Sequence, residues 1–145
     1  MLTRALLLAT SVLVLGGCGK EVGRVPFSAE GKGSITVPLA AGRVDFWTDL
    51  AIEYQGDASL QYLIALEQGG ARVATAICDP LGHLTSTTAW SERNLGSSHS
   101  RSGSGKMACS LKLAAGGPTT VRATLAFASR PASPVLNKAD LVVKQ

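Results

Sequence analysis

The chain is short of several things that would otherwise guide a reading. Of its 145 residues only seven are aromatic: three Phe, two Tyr and two Trp. There are two histidines, His83 and His99, and three cysteines. So few histidines and cysteines, with no Cys-x-x-Cys or paired His spacing, leave no zinc-type ligand set. No G-x-S-x-G elbow is present, which removes the usual serine-hydrolase signature. "GSGKMA" (Gly103–Ala108) has only a fragment of a glycine-rich phosphate loop. It lacks the first Gly and the Ser/Thr of that motif, and it runs into a strand-like segment instead of a helix N-terminus. Nor is there an apolar run long enough to span a bilayer, which takes about 20 residues. The longest, Ala5 to Gly17, is thirteen residues.

That run is nonetheless informative. Arg4 precedes it as the only charge before Lys20, and it closes on small residues in "LVLGGCGK", Leu13 to Lys20. A basic start, a short apolar middle and a small-residue end make a secretory signal peptide. Leu15-Gly16-Gly17-Cys18 resembles the bacterial lipobox of the Leu-x-Gly-Cys type. The resemblance covers residues 1–18 and departs from the pattern in its single n-region Arg and in Gly16, where Ala or Ser is commoner. It implies that Cys18 receives a diacylglyceryl group, that signal peptidase II cuts before it, and that the new amino terminus is acylated. It also implies a lipid-anchored protein of the bacterial cell envelope. Gly19, in place of Asp after the cysteine, favours the outer membrane. The membrane, through the covalent lipid, is then the first expected partner, and such an exported address excludes nucleic acid.

With Cys18 carrying lipid, Cys78 and Cys109 remain. An even remainder in an oxidising compartment reads as one disulfide closing a loop of about 30 residues. The expected organisation is residues 1–17 as signal peptide, 18–33 as lipidated N-terminus and tether, and 34–145 as a single domain. The tether is expected to run into a first short strand around Val22–Ser28.

The net charge of +4 is unevenly spread. Residues 18–89 carry five Lys/Arg and eight Asp/Glu; residues 90–145 carry eight and two. A basic C-terminal part suits anionic headgroups or glycans, although the spaced single charges favour an ordinary solvated surface.

Period-two alternation dominates the domain. Ile35, Val37 and Leu39 alternate; so do Val44 through Tyr54, Leu60 through Leu66, Val73–Thr75–Ile77, Met107 through Leu113, and Val121 through Phe127. A last strand falls near Asp140–Lys144. "AAGR", "QGDAS", "EQGGA", "AAGGPTT" and "SRPASP" are turn-like separators. The pattern predicts an all-β fold: a two-sheet β-sandwich of seven or eight strands, with a jelly roll among its candidate forms. "SLQYLIALEQ" has good helix formers, but its alternation favours a strand. Residues 79–105, rich in Ser, Thr and Gly, are expected to form a long loop, in which "HLTSTTAW" is a short strand or an ordered loop. "SSHSRSGSGK" reads as disordered within it, and Trp90 as its hydrophobic pin.

Two constellations are candidates for chemistry. In "RVDFWTDLAIEYQGD" the even-numbered apolar residues face the core, which puts Asp45, Trp47 and Asp49 together on the opposite face. Carboxylates suit Ca²⁺ and an exposed Trp suits a sugar ring, with Asp57 or Asp79 as further ligands. The competing arrangement pairs these carboxylates with Lys/Arg of a neighbouring strand. The second constellation is His83 and His99 in the Ser-rich loop, either of which a Ser–His–Asp hydrolase would need as its base. The expectation is a non-enzymatic binding or structural accessory module of the envelope, meeting an envelope protein or glycan. It needs no cofactor beyond the lipid. A carbohydrate- or Ca²⁺-binding sandwich is the sharper form of this reading, and an envelope hydrolase using the His83/His99 loop is its competitor.

Overall fold

A computed structural model describes residues 19–145; Cys18 and the signal-peptide reading of residues 1–17 lie outside them. The described residues form nine antiparallel strands: β1 Glu21–Val25, β2 Gly31–Leu39, β3 Gly42–Gln55, β4 Ser59–Gln68, β5 Ala71–Cys78, β6 Leu84–Leu95, β7 Ser98–Leu113, β8 Gly117–Ser129 and β9 Ala132–Lys144. One sheet has the order β1-β9-β3-β7-β6 and the other β2-β8-β4-β5. Strand β1 pairs with β9, β2 with β8, β3 with β7, and β4 with β5. This nested pairing is the winding of a jelly roll, to which β6 adds a fifth strand on one sheet. The expected β-sandwich is therefore present.

The alternation predicts the inward faces well on the central strands. Along β3, Val44, Phe46, Thr48, Leu50, Ile52 and Tyr54 are all buried. Leu60, Tyr62, Ile64 and Leu66 of β4 meet them from the opposite sheet, which makes "SLQYLIALEQ" a strand. A hydroxyl in that core needs partners. The Tyr62 hydroxyl donates to the Ala139 carbonyl at 2.8 Å and shares a 2.8 Å bond with Thr48 Oγ1. Burial pushes the Tyr62 phenol well above its ordinary pKa, so it stays a donor. Tyr62→Phe should destabilise by about 1–3 kcal/mol, because two buried oxygens lose their partner. Chemical denaturation compared with the parent chain checks this.

Cys78 and Cys109 form the expected disulfide, with Cα atoms 5.6 Å apart. It joins edge strand β5 of one sheet to β7 of the other. Between the pairs Asp45↔Ser110 and Trp47↔Lys106, β7 spends four residues where β3 spends two. Cys109 sits on this bulged stretch. At the opposite edge two glycines let β1 and β2 approach. A Cβ on Gly23 would lie 2.8 Å from Val37, and one on Gly33 would lie 2.6 Å from Val25.

Three features differ from the sequence expectation. Residues 79–105 are not a loop. Apart from the turn at 79–83 and the two residues Gly96 and Ser97, they form β6 and the first half of β7, an extended hairpin. The Ser/Gly-rich "SSHSRSGSGK" pairs with β3 from Gln55↔Ser98 to Trp47↔Lys106. Its glycines serve packing. Gly105 leaves room for Leu84, and Gly103, at φ +123°, passes under the β6 bulge at Ala89 and Trp90. A Cβ there would lie 2.5 Å from the Ala89 carbonyl oxygen, a backbone atom. Gly103→Ala should therefore cost about 1–3 kcal/mol and speed hydrogen exchange along β6. A thermal melt and an exchange map test this.

The second difference lies in the tether: its expected short strand is present as β1, Glu21–Val25, but residues 31–33 already open β2. Third, Val73, Thr75 and Ile77 point outward, with Ile77 65% exposed. The interleaved Ala74, Ala76 and Cys78 point inward, as the disulfide requires.

Candidate functional site

The β3 row lies where its alternation puts it. Asp45, Trp47 and Asp49 share the outer face of the five-stranded sheet, partly exposed. Neighbouring strands supply a cation to each. Asp45 accepts from Arg43 Nε at 2.7 Å, and Lys106 Nζ lies 3.6 Å away. Lys144 Nζ stands 3.8 Å from the centre of the Trp47 ring, a cation–π contact on the face a sugar would use. Asp49 accepts from Arg24 Nη1 at 2.9 Å and from Ser104 Oγ, with Lys138 Nζ at 3.7 Å. Asp57 and Asp79 do not join this row. Asp57 is in the β3–β4 turn, and Asp79 accepts from the Leu81 backbone N–H. Among the described residues no cluster of three metal-ligating side chains occurs.

Arg24 is the hub of the row. Its guanidinium donates to Glu21, Asp49 and Asp140, and Asp140 is only 7% exposed. The bond from Arg24 holds the Glu21 carboxyl below its ordinary pKa. Burial pushes the Asp49 carboxyl up, but the bonds from Ser104 and Arg24 and the charge of Lys138 outweigh it and leave it lowered. Glu30 is lowered by the Phe127 backbone N–H and by Arg130. A carboxyl lowered on folding adds stability that is complete above its unfolded value, roughly pH 4–4.5, and is lost as pH falls through the lowered one. The melting temperature should be level above about pH 5 and fall below pH 4. Arg24→Met should lower the plateau and flatten that acid limb. An unchanged limb would dissociate the network from acid stability.

The histidines are far apart. His83 precedes β6 at the Leu84↔Met107 end of the hairpin. His99 lies at the other end, against Tyr54 with ring centroids 5.1 Å apart and Nδ1 2.6 Å from Asn94 Oδ1. Eight residues of strand, about 26 Å, separate the two positions along β7. Trp90 packs against the core and donates to Glu92 at 3.0 Å.

A feature not anticipated from the sequence is the outer face of the four-stranded sheet. The side chains opposite the core on β4 and β5 include Leu63, Ala65, Thr75 and Ile77. Leu63 and Ile77 face each other in register. They floor an open groove of about 800 Å³. Lys32, Arg72 and Arg122 line it. Arg122 pairs with Glu67 at 2.9 Å; Lys32 and Arg72 have no acidic partner among the described residues. No aromatic side chain lines it. The signal was in the sequence, since Val73 and Ile77 alternate with alanines, but periodicity alone does not say which set faces inward.

No protein-family model matches this chain, and no curated protein matches it.

Proposed function

We propose that the mature chain is a lipid-anchored, non-enzymatic module of the bacterial cell envelope that binds an acidic polypeptide segment across the outer face of its four-stranded sheet. The anchor rests on the lipobox resemblance at Leu15–Cys18, with the outer membrane as the expected address. The binding role rests on one observation above all. Leu63 and Ile77, 43% and 65% exposed, lie side by side in a groove whose free charges are both positive, Lys32 and Arg72. Apolar side chains left in water at the floor of a concave surface favour a partner, and unpaired cations beside them select an anionic one. A polypeptide suits this floor better than a glycan, because sugar rings stack on aromatic faces and the groove has none. Trp47, on the other sheet, is already covered by Lys144. The edge of β5 adds unpaired backbone groups beside Ile77, to which an extended segment can hydrogen-bond.

Fluorescence anisotropy with a labelled peptide alternating Glu with Leu tests the reading. The parent domain should bind it. Lys32→Glu with Arg72→Glu should weaken binding at least tenfold, about 1.4 kcal/mol, while Trp47→Ala leaves it unchanged. Equal affinity for both proteins would remove the groove from consideration.

A further inference from the structure

The end of the sandwich where Lys20 lies is built unlike the other. Lys20 N–H donates to the Gln145 carbonyl and Gln145 N–H to that of Lys20, both at 3.1 Å. The chain is therefore clamped into the sheet two residues after Cys18. The Gln145 side chain in turn holds the β2–β3 turn, accepting from Ala40 N–H and donating to Ala40 O, each at 2.7 Å. Gly116 of the β7–β8 turn lies against Ala40 and Ala41, where a Cβ would have 3.2 Å. Gln68, beside the β4–β5 turn, donates to Ala115 O at 3.0 Å. Three turns and the start of β1 thus form one continuous base.

The chemistry of that base is uniform. Its turns are Ala40–Ala41, Gly69–Gly70 and Ala114–Gly116, all exposed and without a charged or bulky side chain. Around them stand Lys20, Arg72 and Lys112, exposed and with no acidic partner among the described residues. The acids nearest this end are already engaged: Glu21 by Arg24, Asp45 by Arg43 and Glu67 by Arg122.

We infer that this base is a membrane-contact surface that rests on anionic lipid headgroups. The inference depends on the proposed lipidation of Cys18. Two residues of extended chain span at most about 7 Å, which leaves no spacer between an acylated Cys18 and the clamp at Lys20. An anchored domain must then present this end to the bilayer. Small side chains allow a close fit to the headgroup plane, and the three free cations are drawn to its negative potential within a Debye length. The sandwich stands upright. Its far end, the β6–β7 turn at Gly96–Ser97, is about 43 Å away along β3, and the groove opens sideways, parallel to the membrane.

The test uses the lipidated full-length mature protein in vesicles of phosphatidylcholine with phosphatidylglycerol, some lipids carrying a headgroup quencher. A fluorophore is placed at Ala115→Cys or, separately, at Ser97→Cys. The label at 115 should be quenched at least threefold more than that at 97. Replacing Lys20, Arg72 and Lys112 by Glu, or omitting phosphatidylglycerol, should reduce this difference at least by half. Equal quenching at both positions in a protein that floats with the vesicles overturns the contact surface and leaves the anchor intact. A difference indifferent to charge overturns the role of the three cations. A protein that does not float at all removes the anchor, and the inference with it.

Discussion

Replacing Cys78 and Cys109 together by Ala is expected to lower the stability of the domain by about 3–4 kcal/mol, the chain-entropy value for this loop. The bond spans 31 residues and ties the edge strand β5 to β7 across the two sheets. Without it, β5 is held by its backbone pairing to β4 and by the inward Ala74, Ala76 and residue 78. Alanine side chains bury little apolar area, so this edge has little else to hold it against the facing sheet. The melting temperature should drop by roughly 10–15 °C for a domain of this size. Hydrogen exchange should accelerate first in β5 and in the Asp79–His83 segment. A loss under 1 kcal/mol would mean that packing, not the cross-link, closes this side of the sandwich. The groove has one wall on β5, so the same variant should also weaken peptide binding.

The second large effect concerns location. Cys18→Ser should move the protein from the membrane fraction to the soluble fraction. Each acyl methylene that enters a bilayer contributes about 0.8 kcal/mol, and two or three chains together hold a protein there almost permanently. The three free cations of the base cannot replace that. Each contributes on the order of 1 kcal/mol near an anionic surface, and salt screens it. The serine variant should therefore retain only weak binding to phosphatidylglycerol vesicles, abolished by raising the salt. Full membrane retention in high salt would show that something other than lipid on Cys18 holds the chain.

How far the sequence revealed this architecture depended on where the apolar residues lie. Strands β3, β4 and β8 were legible because one face of each is mostly apolar while the other is mostly polar or small, and the two alternate along the whole strand. Strand β6 and the first half of β7 were hidden for a physical reason. Their outer residues are Ser, Thr and Gly, indistinguishable in composition from a linker. What makes "SSHSRSGSGK" a strand is its pairing with the far half of β3, a non-local contact that no local pattern encodes. Orientation was the other blind point. On β5 the larger residues Val73 and Ile77 alternate with Ala74 and Ala76, and size suggests the wrong inward face. Cys78 fixes the register, and a shift of one residue turns the outer face into core.

The outer row of β3 was legible in position but not in state. That Asp45, Trp47 and Asp49 share a face follows from their spacing. That Lys106, Lys144, Arg24 and Lys138 converge on them follows from the strand order β1-β9-β3-β7, while Arg43 reaches Asp45 along β3 itself. Such convergence turns a row of possible ligands into an ion-pair network that braces the sheet.

The proposal that unites anchor, base and groove is that this domain is held at a membrane by its own first residue. The most direct measurement is the intact mass of the mature protein purified from membranes, with fragmentation of its N-terminal peptide. The account predicts a chain that begins at Cys18, bears a diacylglyceryl group on sulfur and an acyl group on its amino terminus, and contains one disulfide. A mature chain with an unmodified Cys18 thiol, or one cleaved beyond it, would contradict the account.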